Sequence, residues 1–163
     1  MRDRDLLISN AGGTYLVKVC GRANFEYAVP LRSIAKASTN FKGIMIDLDD
    51  CTAMDSTFMG VLTMLALKSK REQCAVELYN ASSVLQKLLR DLGVINLFTF
   101  KEGSLDAGSA ADSSGGSLLT TAETVSEAHK ALVEADSSNQ AKFSAVIDYA
   151  DADVARLKKE EQK

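Results

Sequence analysis

The sequence lacks tryptophan, has only 6% aromatic residues and contains a single proline among 163 residues. A surface that stacks unpaired bases needs several aromatic side chains, and an all-β sandwich needs many turns, so both are disfavoured. The formal net charge of -3 also lacks the basic excess that draws a protein to nucleic acid. We therefore expect a protein rich in helix, with no nucleic-acid partner.

Cysteine and histidine are too few to build the usual metal or catalytic sites. Cys20, Cys51 and Cys74 are far apart, form no CxxC pair and are odd in number, so neither a disulfide framework nor a zinc site is indicated. The only histidine, His129, has no cysteine or paired carboxylate near it in sequence, and we expect it to be solvated on a helix. No glycine-rich phosphate loop is present either, so we expect neither catalysis nor a cofactor.

Long hydrophobic runs are absent as well. The longest, residues 58–67, is about half of the ~20 residues that a membrane span requires. Acidic residues stand among the first five positions, where a signal peptide would be basic. The three cysteines show no disulfide pattern, so we expect them to be reduced. Together these features predict a cytoplasmic protein with no membrane partner.

The composition changes near residue 101. Residues 101–117, KEGSLDAGSAADSSGGS, are small, polar and rich in Gly and Ser, which is typical of a flexible linker. We therefore divide the chain into a domain at 1–100, a linker at 101–117 and an acidic helical tail at 118–163. Residues 1–100 hold 12 basic and 10 acidic side chains, net +2, whereas residues 101–163 hold 7 and 12, net -5. We expect the tail to be attracted to its own domain.

The first hundred residues alternate between strand and helix patterns. Strands are predicted at residues 6–10, 14–20, 43–48, 75–79 and 97–100, and helices at 25–37, 56–71 and about 82–92. The third helix is the clearest, because its leucines form one stripe, Asn80, Ser82 or Ser83 can cap its start and Gly93 ends it. This order predicts a compact α/β sheet of about four to five strands covered by helices, followed by a C-terminal helical extension.

Two further amphipathic patterns lie in the tail, separated by the helix-breaking residues 136–139. They predict a two-helix hairpin whose apolar stripes need a partner, because two such helices alone are marginally stable. That partner is either the other helix, the α/β domain, a second copy of the chain bound through residues 118–160, or another protein. The tail would accordingly act as a docking element, an oligomerisation device or an autoinhibitory cover.

The most distinctive stretch follows the strand at 43–48. Its sequence, DDCTAMDSTFMG, carries a short acidic loop into the start of a helix. Ligands and partners meet open α/β folds at the carboxyl end of the sheet, so we expect Ser56 and Thr57 to be exposed there. Asp55 or Ser56 also suits the simpler role of helix N-cap.

Two segments give the chain a family resemblance. Asp55-Ser56-Thr57, followed by Gly60, is similar to an Asp-Ser-[Ser/Thr]-Gly-[Leu/Met]-Gly signature, and residues 80–98 match a second motif that begins with Asn-Ala-Ser and ends with Leu-Phe. Over roughly residues 5–100 the chain resembles a STAS domain of the bacterial anti-sigma factor antagonist type. It departs from the signature at Phe58, where the family usually has glycine, and at Met59, where leucine is usual.

The resemblance implies a function. Ser56 would be phosphorylated by an anti-sigma-type serine kinase that brings its own ATP, with Thr57 as the fallback acceptor, and a PP2C-like phosphatase would reverse the reaction. The resemblance also implies partner switching at a surface made of Asp49, Asp50, Asp55, Ser56, Thr57, Phe58 and Met59. A phosphate of about -1.5 to -2 charge would weaken docking because those acids repel it. The chain would be a substrate and a ligand, not an enzyme.

Two other non-catalytic functions compete with this one. A response-regulator receiver needs an acidic pair after its first long strand to hold Mg²⁺, but Cys20-Gly21-Arg22 stands there. A STAS scaffold that is never phosphorylated would instead work through its C-terminal helices. A redox function for Cys51 is disfavoured, because the carboxylates near it in sequence oppose a thiolate.

Overall fold

The computed structural model describes residues 6–37, 40–105, 109–110 and 117–162. The strands are β1 (Leu6–Ala11), β2 (Thr14–Val19), β3 (Gly21–Ala23), β4 (Gly43–Asp47), β5 (Cys51–Met54), β6 (Val76–Tyr79), β7 (Thr99–Lys101) and β8 (Ser109–Ala110). The helices are α1 (Phe25–Lys36), α2 (Ser56–Arg71), α3 (Ser83–Asp91), α4 (Leu118–Ala135) and α5 (Asn139–Glu161). A short 3-10 helix at Ile95–Leu97 connects α3 to β7.

Six strands form one mixed sheet in the order β7-β6-β4-β2-β1-β8. The strands β2, β4, β6 and β7 are parallel and are connected through helices, whereas β1 is antiparallel to both of its neighbours. The predicted α/β class with C-terminal helices is confirmed. The sixth strand is the two-residue β8, which lies inside the segment predicted to be a linker. Residues 106–108 and 111–116 of that predicted linker lie outside the described residues.

A separate ribbon pairs β3 with β5 in parallel. Its strands of three and four residues are too short to show a clear periodicity, so neither was predicted. β5 occupies part of the stretch interpreted as a loop and ends directly before Asp55. The backbone N–H of Asp55 donates to the carbonyl of Ala23 in β3 at 3.0 Å. The ribbon therefore fixes the point at which α2 begins.

The helix ends follow local signals in the sequence. Asp55 caps α2 by accepting a hydrogen bond from the backbone N–H of Phe58 at 2.7 Å. Ser82 caps α3 by accepting from the N–H of Leu85 at 3.2 Å. Gly93 follows α3 with φ of 71°, a left-handed conformation that glycine adopts without strain. The predicted third helix is thus confirmed, with its cap at Ser82.

Helix α2 is buried on nearly every side. Phe58, Leu62 and Leu65 are completely buried in the apolar core beside the sheet. Gly60 and Thr63 are buried as well, and α2 lies against both α1 and α4. A helix with no polar face needs cover all round, and α4 supplies that cover on the side that the sheet and α1 leave open.

The last two helices form a hairpin that packs on the rest of the chain. Residues 136–138 join them, and the hydroxyl of Ser126 in α4 donates to the carboxylate of Asp151 in α5 at 2.5 Å. We call residues 117–162 the C-terminal hairpin and residues 6–105 the α/β body. Within the described parts of the chain, no helix is apolar enough over a sufficient length to span a membrane.

Charge attraction between the tail and the α/β body is confirmed in the contact between α4 and α1. The guanidinium of Arg32 lies 2.6 Å from the carboxylate of Glu127 and 4.0 Å from that of Glu123. The ammonium of Lys36 lies 2.9 Å from Glu127. At the other end of the hairpin, the side-chain amide of the fully buried Asn139 donates to the carbonyls of Leu92 and Leu132.

Candidate functional site

Ser56 is the first residue of α2, and its hydroxyl is already engaged. Its Oγ lies 2.8 Å from Nε2 of His129 in α4, a residue 73 positions further along the chain. The other ring nitrogen, Nδ1, lies 2.7 Å from the carbonyl oxygen of Val125. A carbonyl can only accept, so Nδ1 carries the proton and Nε2 is left as the acceptor. The Ser56 hydroxyl therefore donates to His129.

The imidazole of His129 is enclosed between the α/β body and α5. Its residue is 2% exposed, and the ring of Phe143 packs against it edge-on with a centroid separation of 4.9 Å. Burial lowers the pKa of His129 because the charged ring would lose its hydration. The prediction that His129 is solvated is therefore wrong. Its apolar neighbours and its hydrogen bond to Ser56 come from elements distant in sequence.

Asp55 is the charged group nearest to this pair. Burial raises the pKa of Asp55, although the N–H of Phe58 and the nearby His129 act in the opposite direction. The prediction of an N-cap at Asp55 or Ser56 is confirmed for Asp55. The carboxylate of Asp55 accepts from the Phe58 N–H and so caps α2. The imidazole is oriented by the backbone carbonyl of Val125 instead.

The residues that follow Ser56 face inward. Thr57 is 7% exposed, Phe58 is 0% and Met59 is 6%, while Ser56 itself is partly buried. The expectation of solvent exposure is therefore wrong for Thr57, whereas Ser56 keeps part of its exposure beside α4, and Phe58 is part of the core. That these side chains contact a partner protein remains a prediction.

Gly60 is the point of closest approach between α2 and α4. A Cβ atom at this position would collide with the backbone carbonyl group and the Cβ of Ala128. His129 directly follows Ala128 in α4, so the contact between Gly60 and Ala128 brings the imidazole within reach of Ser56. Small residues on both helices thus set the separation that the hydrogen bond requires.

The acidic residues before β5 are not part of this cluster. Asp49 and Asp50 lie in the turn that precedes β5, and the four residues of that strand span roughly 13 Å. The ammonium of Lys18 lies 3.3 Å from Asp50 and 3.8 Å from Asp47, and the hydrogen bond to Asp50 raises the pKa of Lys18. The expectation that Asp49 and Asp50 stand beside Ser56 is wrong, because β5 separates them.

The cysteines give no sign of redox or metal chemistry. Cys20 and Cys51 are buried, and burial raises the pKa of Cys51 to about 11, which disfavours the reactive thiolate. The thiol is therefore kept protonated by burial rather than by the acidic neighbours that the sequence analysis invoked. Among the described residues, no group of three or more His, Cys, Asp and Glu side chains could hold a metal ion.

One sequence signal could have revealed the covered site. Residues 58–67 are apolar or small at nearly every position, so α2 has no polar face to turn to solvent. This pattern predicts a second layer of protein over α2, and the amphipathic tail is the segment available to form it. The pairing of Ser56 with His129 itself depends on the packing of α4 and has no local signature.

Comparisons with known proteins concern the α/β body. The STAS domain family model matches residues 15–107, which end before the hairpin. The anti-sigma factor antagonist SpoIIAA in its unphosphorylated form has a similar fold, with a TM-score of 0.51 and 12% identity over 61% of this chain and 89% of that one. Bacillus SpoIIAA in the phosphorylated form gives 0.51 and 13%, over 61% and 91%.

A sulfate transporter family protein from Wolinella succinogenes is also similar, with a TM-score of 0.49 and 16% identity over 57% of this chain and 80% of that one. At these identities the likeness concerns the fold alone. A search of curated protein sequences finds no significant match.

Proposed function

This chain belongs to the STAS domain family, and on that premise we propose that it is a regulatory protein whose Ser56 is reversibly phosphorylated. It acts by partner switching, in the manner of an anti-sigma factor antagonist. The observation that carries the proposal is the placement of Ser56 at the first position of α2, directly after the capping Asp55. The fold neighbour SpoIIAA is known in an unphosphorylated and a phosphorylated form, which supports the same chemistry here.

The start of α2 suits a phosphate chemically. The free N–H groups and the dipole at a helix N-terminus favour negative charge, so phosphate on Ser56 would not have to unfold the α/β body. The carboxylate of Asp55 stands beside it and would repel it. A phosphate adds about -1.5 to -2 charge, which changes which partner surface is complementary to this face. The modification therefore alters binding more than folding.

The partners proposed are an anti-sigma-type serine kinase and a PP2C-like phosphatase. The kinase supplies ATP and the catalytic groups, so the chain itself needs no nucleotide site. The hydrogen-bonded pair of Ser56 and His129 has the contact expected of a nucleophile and its base. However, the imidazole is oriented by the Val125 carbonyl rather than by a carboxylate, so the pair lacks the third member of a catalytic triad. We therefore propose a phosphoacceptor and not an enzyme.

Mass spectrometry of the protein isolated from its own cells tests the proposal. The tryptic fragment of residues 43–68 holds Ser56, the fallback Thr57 and the internal control Thr63, which is buried and bonded to the Met59 carbonyl at 2.9 Å. We expect phosphate on Ser56 and none on Thr63. Fragments that remain unmodified under several growth conditions would contradict the proposal.

A second function is favoured by one observation on the hairpin. A groove of about 520 Å³ between α4 and α5 is lined by apolar side chains, and Leu118 and Tyr149 at its edges are 75% and 76% exposed. This favours a STAS scaffold that works through its C-terminal helices, including by self-association. Ser56→Ala and Ser56→Asp distinguish the two functions. Opposite effects on partner binding support the switch, whereas no effect of either supports the scaffold.

A further inference from the structure

The C-terminal hairpin occupies the face of the α/β body that Ser56 would present to a partner. His129 accepts a hydrogen bond from the Ser56 hydroxyl, with 2.8 Å between Oγ and Nε2. Ala128 contacts Gly60, which lies one turn further along α2. The same helix is held to α1 by Glu127, which contacts both Arg32 and Lys36. A protein that uses the Ser56 hydroxyl must first break its hydrogen bond to His129, and it meets α4 beside this residue.

A phosphoryl group on Ser56 is incompatible with the hydrogen bond of the docked arrangement. The nitrogen of His129 already lies at hydrogen-bond distance from Oγ, in the direction in which the hydroxyl proton points. Replacing that proton by a phosphoryl group removes the only hydrogen that Oγ can donate, and it sets anionic oxygens beside the lone pair of Nε2, on a ring that packs against Phe143. The buried ring is neutral and its pKa is lowered, so it offers no positive charge in exchange. Asp55 adds a negative charge on the other side.

Phosphorylation also cancels the positive excess that attracts the acidic hairpin. Residues 1–100 carry a net +2 and residues 101–163 a net -5, from 12 minus 10 and 7 minus 12 charged side chains. A phosphate of about -1.5 to -2 cancels most or all of the positive excess on the α/β body. The loss of the hydrogen bond and the change in charge therefore act in the same direction.

The docking interface is suited to release. Its buried α4 side chains are mostly small or polar, and Leu132 is the one large apolar residue of α4 that is fully buried. Of these, Ala128 and Leu132 belong to the core of the α/β body, whereas Ser126 bonds Asp151 inside the hairpin. Apolar area sets most of the free energy of such a contact, so an interface with one large apolar anchor is held less firmly than a leucine-rich core. Nearly all the large buried side chains of the core come from the α/β body itself.

From these contacts we propose that the C-terminal hairpin is an intramolecular ligand of the Ser56 face, and that hairpin docking and phosphorylation of Ser56 exclude one another. The inference rests on the proposed function, because it describes how the same serine is regulated. The kinase acts on the released form, and the phosphate then keeps the hairpin from docking again. The hairpin is thus a built-in competitor of the protein partner.

Hydrogen exchange on the full chain tests this directly. We would prepare the protein with phosphoserine encoded at position 56 and compare it with the unmodified chain. A matched control carries phosphoserine at position 83, which is exposed and is likewise the first residue of a helix. We expect amides of α4 to exchange roughly tenfold faster or more only when position 56 is modified. Unchanged or slower exchange in α4 would overturn the inference.

A second measurement keeps the test independent of the phosphoserine variant. In a Ser56→Cys chain, alkylation of residue 56 by iodoacetamide, followed by peptide mass spectrometry, reports access to this position. We expect it to accelerate roughly tenfold when Leu132→Ala is added, because opening of α4 exposes the thiol. Equal rates would overturn the inference. Neither result depends on phosphorylation in the cell, so failure of the proposed function is seen separately, as an unmodified 43–68 fragment.

Discussion

The α/β body and the C-terminal hairpin are held by different kinds of buried side chain. The body encloses large aliphatic and aromatic residues, among them Leu31, Ile46, Phe58, Leu62, Leu78 and Leu89. The hairpin buries mainly small and polar ones, namely Ala122, Thr124, Ser126, Ala128, His129, Ala131, Leu132, Asn139 and Ala150. Full burial of one leucine contributes about 1.5–3 kcal/mol, and the hairpin has few such residues. The body therefore has the core of an independent fold, whereas docking of the hairpin depends on a few specific contacts.

The largest expected effect comes from breaking the body itself. Phe58→Ala should lower the free energy of unfolding by about 3–5 kcal/mol, because Phe58 is completely buried and its removal leaves a cavity. Urea unfolding of the full chain measures the loss. Phe25→Ala, at a side chain that is 42% exposed, is the matched control and should cost far less. Equal losses would contradict the placement of Phe58 in the core.

Leu132→Ala should release the hairpin while the body stays folded. The change removes the large apolar anchor of α4, and such changes cost about 2–5 kcal/mol at well-packed sites. We expect faster hydrogen exchange throughout α4 and α5 and unchanged exchange in β4 and β6. The control is Leu118→Ala in the same helix, at a side chain that is 75% exposed. Simultaneous loss of protection in hairpin and body would show that the two regions unfold as one.

Gly60→Ala should affect the hairpin and the body in opposite directions. The new Cβ collides with Ala128 and pushes α4 away, and overpacking of this kind costs about 1–3 kcal/mol. Alanine has a higher helix propensity than glycine, by about 1 kcal/mol, so the same change stabilises α2 within the body. We expect the hairpin to lose protection against exchange while the urea midpoint of the body is kept or raised. Full protection of α4 in this variant would rule out the close contact.

Acid should weaken docking by a smaller amount. Burial lowers the pKa of His129 below the ordinary value of about 6.5, so the docked state favours the neutral ring. The stabilisation is complete above pH 6.5 and is lost as the pH falls through the lowered pKa, where protonation removes the acceptor for Ser56. Burial raises the pKa of Asp55, the acid nearest in charge effect to this ring. A raised pKa stabilises the folded state only at lower pH, so Asp55 acts in the opposite direction to His129.

Exchange of α4 amides at several pH values between about 8 and 5.5 measures this effect, after correction for the intrinsic exchange rate. A His129→Gln variant is the control, because its side chain does not titrate. We expect the wild-type hairpin to lose protection toward acid and the variant to show no such trend. The same trend in both proteins would assign it to another group.

Local signals made much of the α/β body predictable. Helix α3 is marked by the Ser82 cap, a leucine stripe and the terminal Gly93, which act within a few residues of one another. The central strand β4 was recognisable as a short apolar run. The ribbon of β3 and β5 was missed because its two short strands pair with each other across 30 residues of sequence, as at Gly21 and Cys51.

The candidate site was predictable only in part. Ser56 and its cap Asp55 follow from the motif and from the helix start. Their environment does not, because His129 comes from a helix that docks through nonlocal packing at Gly60 and Ala128. A lone histidine on an amphipathic pattern gives no indication of which side chain it meets. The apolar character of α2 on all sides was the available clue that something covers this helix.

The hydrogen bond from the Ser56 hydroxyl to His129 of the hairpin can be read from ¹⁵N NMR of the histidine side chain. The chain has one histidine, so the signals need no further assignment. The account predicts the tautomer protonated at Nδ1, a lowered pKa, and a change in the Nε2 shift when Ser56 is replaced by alanine. A mixture of tautomers with an ordinary pKa and no response to Ser56→Ala would contradict it.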